Sequence, residues 1–261
     1  MPPNSVISLK LNERPAFARL LTDRSNSVLV STYQLDSDSS TRAGEYPQSS
    51  IPVSSNMLLD VSIKSTSIAA TTDNKGFAFL VDTNTGTVVS SWLAHSLPYL
   101  QGEGCEVWTC CMTDDASLVA TGGEDTTMKI WDTRTKTSIS HAKVFDAGVT
   151  FIDWLDDNVL LTGCYDEYMR LIDRRSTKIE LRKVKLPGGV WNIEKTEDGH
   201  YLASCMYGGY ALLDGDWQIS HANQKPGANL LYGATAIDSN SVVYCTFNDY
   251  SVSLDIFGNR E

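Results

Sequence analysis

The chain has 261 residues, 42% of them hydrophobic, enough to bury a sizeable core in one large all-β domain or two smaller ones. Its 21 Lys and Arg face 32 Asp and Glu, a formal net charge of -11 that argues against a surface devoted to phosphate backbone or anionic lipid. No apolar run approaches the roughly 20 residues that cross a bilayer, so neither nucleic acid nor membrane is an expected partner.

The N-terminus MPPNSVISLK lacks the basic segment and apolar stretch of a leader, and a cytoplasmic location is expected. VISLKL (6–11) reads as a strand, SVLVSTYQL (27–35) as part of a first unit. Residues 31–56 hold eight serines and two prolines and read as a long polar connection. A second unit follows with IAATTDNK and FAFLVDTNTG (68–86). From Asp82 to Asp132 the step is 50 residues, so SLPYLQGEG (96–104) is an expected loop insertion.

From there the repeat is regular. MKIWDTR (128–134), MRLIDRR (169–175), YALLDGD (210–216) and SVSLDIF (251–257) carry Asp132, Asp173, Asp214 and Asp255, each 41 residues after the last. Upstream of each lies a run ending in a turn: LVATGGED, LLTGCYDE, LASCMYGG and VVYCTFND. A third run precedes these: VWTCCM, TFIDWL, VWNIEK and YGATAI. Short strands at a ~40-residue period mark the blades of a WD40-type β-propeller, about four strands each. Six repeats are visible, over approximately 12–50, 51–95, 105–141, 147–184, 188–221 and 228–261, in one propeller domain of six or seven blades. The last repeat stops after three strands, and VISLKL is placed to supply its fourth.

Asp125 and Asp166 fall in turns, where a carboxylate accepts backbone hydrogen bonds. The six cysteines include no C-x-x-C pair and read as reduced thiols; Cys164, Cys205 and Cys245 are expected at equivalent blade positions. No metal site or cofactor is expected. Neither G-x-S-x-G nor H-E-x-x-H is present among the motifs, and four histidines leave little choice of base. His95 stands where WD repeats carry their Gly-His dipeptide, a place for bonding within the blade. Trp108, Phe151, Trp191 and Tyr232, spaced 43, 40 and 41, stand at the start of the third run of successive units and form either a packed layer or a binding rim. Glu106, Gly188 and Gly189 precede two of them.

Several of these stretches go beyond a generic repeat. TGCYDEYMRLIDRR, GGVWNIEK, ASCMYGGY, LLYGATA and CTFNDYSVSLDIF, with STYQL and EVWTCCM, resemble the diphthine methylesterase family, WD-repeat proteins of diphthamide biosynthesis. Tyr168 stands where that family commonly has histidine, and Thr235-Ala236 replaces an acidic-aromatic pair. The resemblance implies hydrolysis of the methyl ester of methylated diphthine on translation elongation factor 2, by a monomer without cofactor. Such a substrate carries a quaternary ammonium, which suits an aromatic rim. The substrate-binding candidates are Trp108, Phe151, Gly188, Gly189, Trp191 and Tyr232, with Glu106 and His95 as catalytic candidates. A non-catalytic scaffold for a protein complex is the alternative, since most such repeats organise assemblies.

Overall fold

Runs of β-branched and aromatic residues separated by Asp-Gly and Asn-Thr turns leave the backbone little choice but strand and tight turn. The computed structural model describes residues 51–64 and 67–257, and the backbone of the earlier strands Ser5–Lys10, Pro15–Leu20 and Val28–Thr32. Residues 33–50, the bulk of the serine-rich connection and the end of STYQL, lie outside the described residues. Apart from two 3-10 turns, Pro98–Leu100 and Lys225–Asn229, all regular structure among the described residues is strand. The fold is an all-β WD40-type propeller built of four-stranded antiparallel blades.

Five such sheets are present. Blade two runs Leu58–Ile63, Ile68–Asp73, Phe77–Asp82, Thr87–Leu93. Blade three runs Thr109–Met112, Leu118–Gly122, Met128–Asp132, Thr137–Ala142. Blade four runs Val149–Trp154, Val159–Cys164, Tyr168–Asp173, Glu180–Lys185. Blade five runs Asn192–Lys195, Tyr201–Ser204, Tyr210–Leu213, Ile219–Asn223. Blade six joins Leu231–Asp238, Ser241–Thr246 and Ser251–Ile256 to the N-terminal strand Ser5–Lys10. Compactness divides the chain into residues 43–184 and residues 1–42 with 185–261.

Within each unit the sheets bury their faces against one another. Ala70, Leu80 and Trp92 of blade two pack on Met112, Val119 and Trp131 of blade three, the two indoles 5.9 Å apart. Ile130, Leu160 and Ile172 join blades three and four, and Leu202, Tyr210, Val242 and Tyr244 join blades five and six. Side chains also cap a strand edge: Asp60 accepts from the Cys110 amide at 2.8 Å, and Ser62 Oγ from the Met112 amide at 3.0 Å.

The recurring aspartate closes the turn between third and fourth strands. Asp132 Oδ1 accepts from the amides of Arg134 and Thr135, Asp173 from Arg175, and Asp214 from Asp216 and Gln218. At Asp255 the strand alongside is Ser5–Lys10 rather than one that follows in sequence. The ladder runs unbroken from Ser5↔Ile256 to Lys10↔Ser251, and Asp255 turns inward to accept the Tyr210 hydroxyl at 2.6 Å and the Asn223 amide.

The insertion expected as a loop at 96–104 is a folded excursion: Ser96–Leu97 pairs with Glu103–Gly104 around the Pro98 turn. Gly104 is required there, since a Cβ would lie 1.9 Å from the Lys75 carbonyl oxygen. Cys164 and Cys205 follow Gly163 and Ser204 by one, the partners of Met169 and Tyr210. The expected equivalence fails for Cys245, which pairs with Val252, one place before the Thr246–Ser251 rung that continues the 41-residue series. A register shift between Leu231 and Gly233 accompanies this offset.

Candidate functional site

Within residues 43–184, the segment Glu106–Trp108 leads into the first strand of blade three. Val107 is fully buried and its amide bonds the Asp73 carbonyl at 3.2 Å; the Glu106 carbonyl accepts from the Glu124 amide at 2.9 Å. With the backbone held on both sides, Trp108 Nε1 donates to Glu106 Oε2 at 2.7 Å, orienting a half-buried carboxylate. The indole lies directly on Gly148, where a Cβ would stand 2.2 Å from the ring. Phe151 sits one rung further along than the 43-residue spacing suggests. It pairs with Gly163 as Thr109 pairs with Gly122 and Asn192 with Ser204, so the buried Thr150 holds the Trp108 place. The irregularity between Val149 and Phe151 supplies the extra residue.

His95 is fully buried, with both ring nitrogens engaged. Trp131 Nε1 donates to Thr121 Oγ1 at 2.8 Å, and that oxygen lies 2.7 Å from His95 Nε2. The Asp125 carboxylate can only accept, so Nδ1–H donates to its Oδ1 at 2.8 Å, and Nε2 of the neutral ring accepts the Thr121 hydroxyl proton. Burial holds the imidazole pKa below its ordinary value of 6.5, so the ring is neutral at pH 7. Although burial opposes it, bonds from His95, Thr127 and Lys129 hold the Asp125 carboxyl at about 2. This is the within-blade role that the Gly-His position implies. Blade four meets the same need differently: Arg170, fully buried, grips Asp166 with two bonds of 2.9 and 2.6 Å and donates to Glu180 at 2.6 Å.

Within residues 185–261, Pro187–Trp191 leads into blade five. Gly188 is pressed against its neighbour, a Cβ there falling 2.4 Å from the Cys205 carbonyl oxygen and 2.6 Å from the Gly208 nitrogen. Gly188 itself is buried by this close approach. Gly189 is half-exposed. Trp191 and Tyr232 meet with ring centres 4.9 Å apart, and Phe247 closes on Tyr232 edge-on at 5.6 Å. The backbone fixes all three: Trp191 donates to Ser204 at 2.8 Å, Leu231 to Met206 at 3.1 Å, and Phe247 to Leu230 at 2.9 Å. All three rings are half-buried, leaving π-surface toward solvent.

Phe247 is absent from the sequence-derived set. It lies 41 residues from Met206 and 82 from Tyr165, in the turn after the second strand. Scanning that turn for aromatics, as the strand starts were scanned, finds it. The structure brings Tyr232 and Trp191 together, and separately Glu106 and Trp108; neither pair includes Phe151.

The thiols offer no nucleophile. All six are reduced and buried; burial raises Cys110 well above the ordinary range and pushes Cys111, Cys164, Cys205 and Cys245 to about 12. No cluster of three or more metal-ligating side chains exists among the described residues. No helix among them is long and apolar enough to cross a membrane.

Residues 94–132 match the WD domain, G-beta repeat, a span that begins just before His95 and ends at Asp132. The chain is similar to diphthine methyltransferase of Mus musculus, 31% identical over 62% of this chain and 36% of that protein. It is 32% identical to the Homo sapiens protein of that name over 48% of this chain and 27% of that one. For the Schizosaccharomyces pombe protein the figures are 26%, 75% and 62%. The chain thus spans about a third of the mouse relative and about a quarter of the human one. The family resemblance read from the sequence is shown by these relatives.

Proposed function

We propose, from the similarity of this chain to proteins named diphthine methyltransferase, that it acts in diphthamide biosynthesis as a carboxylic ester hydrolase. The substrate is the methyl ester of methylated diphthine on translation elongation factor 2. Water adds to the ester carbonyl, the tetrahedral oxyanion collapses, and methanol departs with one of the water's protons while the other passes to solvent, leaving the carboxylate. The methyl group in the relatives' name is, in this reading, the group removed. The protein works as a cytoplasmic monomer.

The observation that carries this reading is the joined aromatic surface of Trp191, Tyr232 and Phe247. At 4.9 Å the first two rings leave no room between them, so a quaternary ammonium rests on their outer faces, an attraction of about 0.5–2 kcal/mol. The Gly189 amide is the proposed donor to the oxyanion. His95 has both nitrogens committed and is proposed to hold its blade.

Elongation factor 2 bearing the methyl ester, incubated with the protein in heavy-oxygen water, should lose one methyl group and gain one heavy oxygen in the carboxylate. Association without a mass change makes the protein a scaffold. A methyl group recovered on an acceptor other than methanol makes it a transferase.

A further inference from the structure

In the sheet order the outermost strand of each blade is an edge strand, and three of those described carry no Lys, Arg, Asp or Glu: TVVSSWL, TSISHA and ISHAN. Blade four is different. Its outer strand reads ELRKVK, and residues 173–184 hold five of the chain's 21 Lys and Arg against two acids, in a protein of net charge -11. Edge lysines are a common defence against strand-to-strand aggregation. Defence alone does not explain why the outer edges of blades two, three and five lack them.

Two further features meet at this edge. Ile179 and Leu181 are 65% and 55% exposed. Beside them a cavity of about 430 Å³ opens between blades three and four, lined by Ser140, His141, Lys143, Val144, Thr177 and Lys178. Its floor is fixed, Thr177 donating to the His141 carbonyl at 2.8 Å with Ser140 Oγ 3.2 Å away. Its rim carries Lys143 and Lys178, both exposed and, among the described residues, without a carboxylate partner.

We propose that this edge of blade four is a docking surface for an extended acidic segment of a partner protein. Free backbone groups of an edge strand pair with an added strand, and its alternating side chains select the sequence. An extended segment alternating carboxylates with small apolar residues matches both the cations of the rim and the exposed Ile179 and Leu181. Nucleic acid fits less well, because a backbone of phosphates has no use for the exposed pair Ile179 and Leu181. The inference does not depend on the ester reading.

The test uses the full chain and a fluorescent peptide of about eight residues alternating Glu and Val, long enough to span one strand. Anisotropy should report binding that weakens with salt. Lys143→Glu with Lys178→Glu should weaken it about tenfold, as expected for two reversed rim charges, without moving the melting temperature. A Gln-for-Glu peptide should also bind more weakly. Absence of peptide binding overturns the proposal, as does an equal affinity for an oligothymidylate of the same charge. Unchanged affinity in the double variant places the surface elsewhere and overturns it too.

Discussion

Replacing Thr121 by Val exchanges a hydroxyl for a methyl group of nearly the same shape at a fully buried site. Two neighbours lose their partner at once: Trp131 Nε1–H, donating at 2.8 Å, and His95 Nε2, accepting at 2.7 Å. Each buried polar group left unpaired costs about 1–3 kcal/mol, so the pair should cost roughly 2–6 kcal/mol. For a chain of this size that is a fall of roughly 5–20 °C in melting temperature. Thr121→Ser keeps the hydroxyl and sheds one methyl group, costing about 1 kcal/mol. Urea unfolding followed by tryptophan fluorescence and far-ultraviolet dichroism measures both variants. If Thr121→Val proves as stable as Thr121→Ser, the relay from Trp131 to Asp125 is not what fixes the blade.

His95 and Asp125 both make the protein acid-labile. The unfolded chain takes up a proton on His95 near 6.5 while the folded chain resists it, so stability is full above that pH and falls as pH drops below it. Asp125 adds a second loss between its ordinary 3.8 and about 2, where the folded carboxylate is the form that resists protonation. The urea midpoint should therefore decline from pH 7.5 to 5; a flat profile contradicts a buried neutral imidazole. Phe247→Leu removes one face of the aromatic surface and should raise KM for the methyl ester about 2- to 20-fold with kcat nearly constant. Steady-state kinetics with the melting temperature in parallel checks this, and an unchanged KM removes Phe247 from the site.

The blades were legible because 41-residue spacing survives even where residues change. What did not carry over is the role of a residue at a repeated position. Asp132 and Asp255 occupy the same place in the repeat, yet one caps a hairpin turn and the other bonds Tyr210, because the strand paired beside Asp255 is Ser5–Lys10 and not the next one in sequence. Phe151 looks equivalent to Trp108 until an extra residue at Thr150 advances it by a rung, a shift that spacing of 43 against 41 only hinted at. The aromatic pair Trp191–Tyr232 could be anticipated from strand starts, whereas Phe247 arrives from a turn on another strand. Gly188 reads as a flexible donor in sequence and proves to be a packing glycine, since contacts to Cys205 and Gly208 are long-range.

Ser5–Lys10 pairs with Ser251–Ile256, so an early strand waits for one synthesised about 240 residues later. At about 5–20 residues per second the wait is on the order of tens of seconds, far longer than a hairpin needs to form. Throughout it, VISLK is an apolar strand with two bare edges, the kind of segment that pairs with whatever else is extended nearby. Nascent chains thus keep Ser5–Lys10 without its partner strand until Ser251–Ile256 emerges, and bulk attached close to that strand competes with the final sheet rather than decorating a finished one.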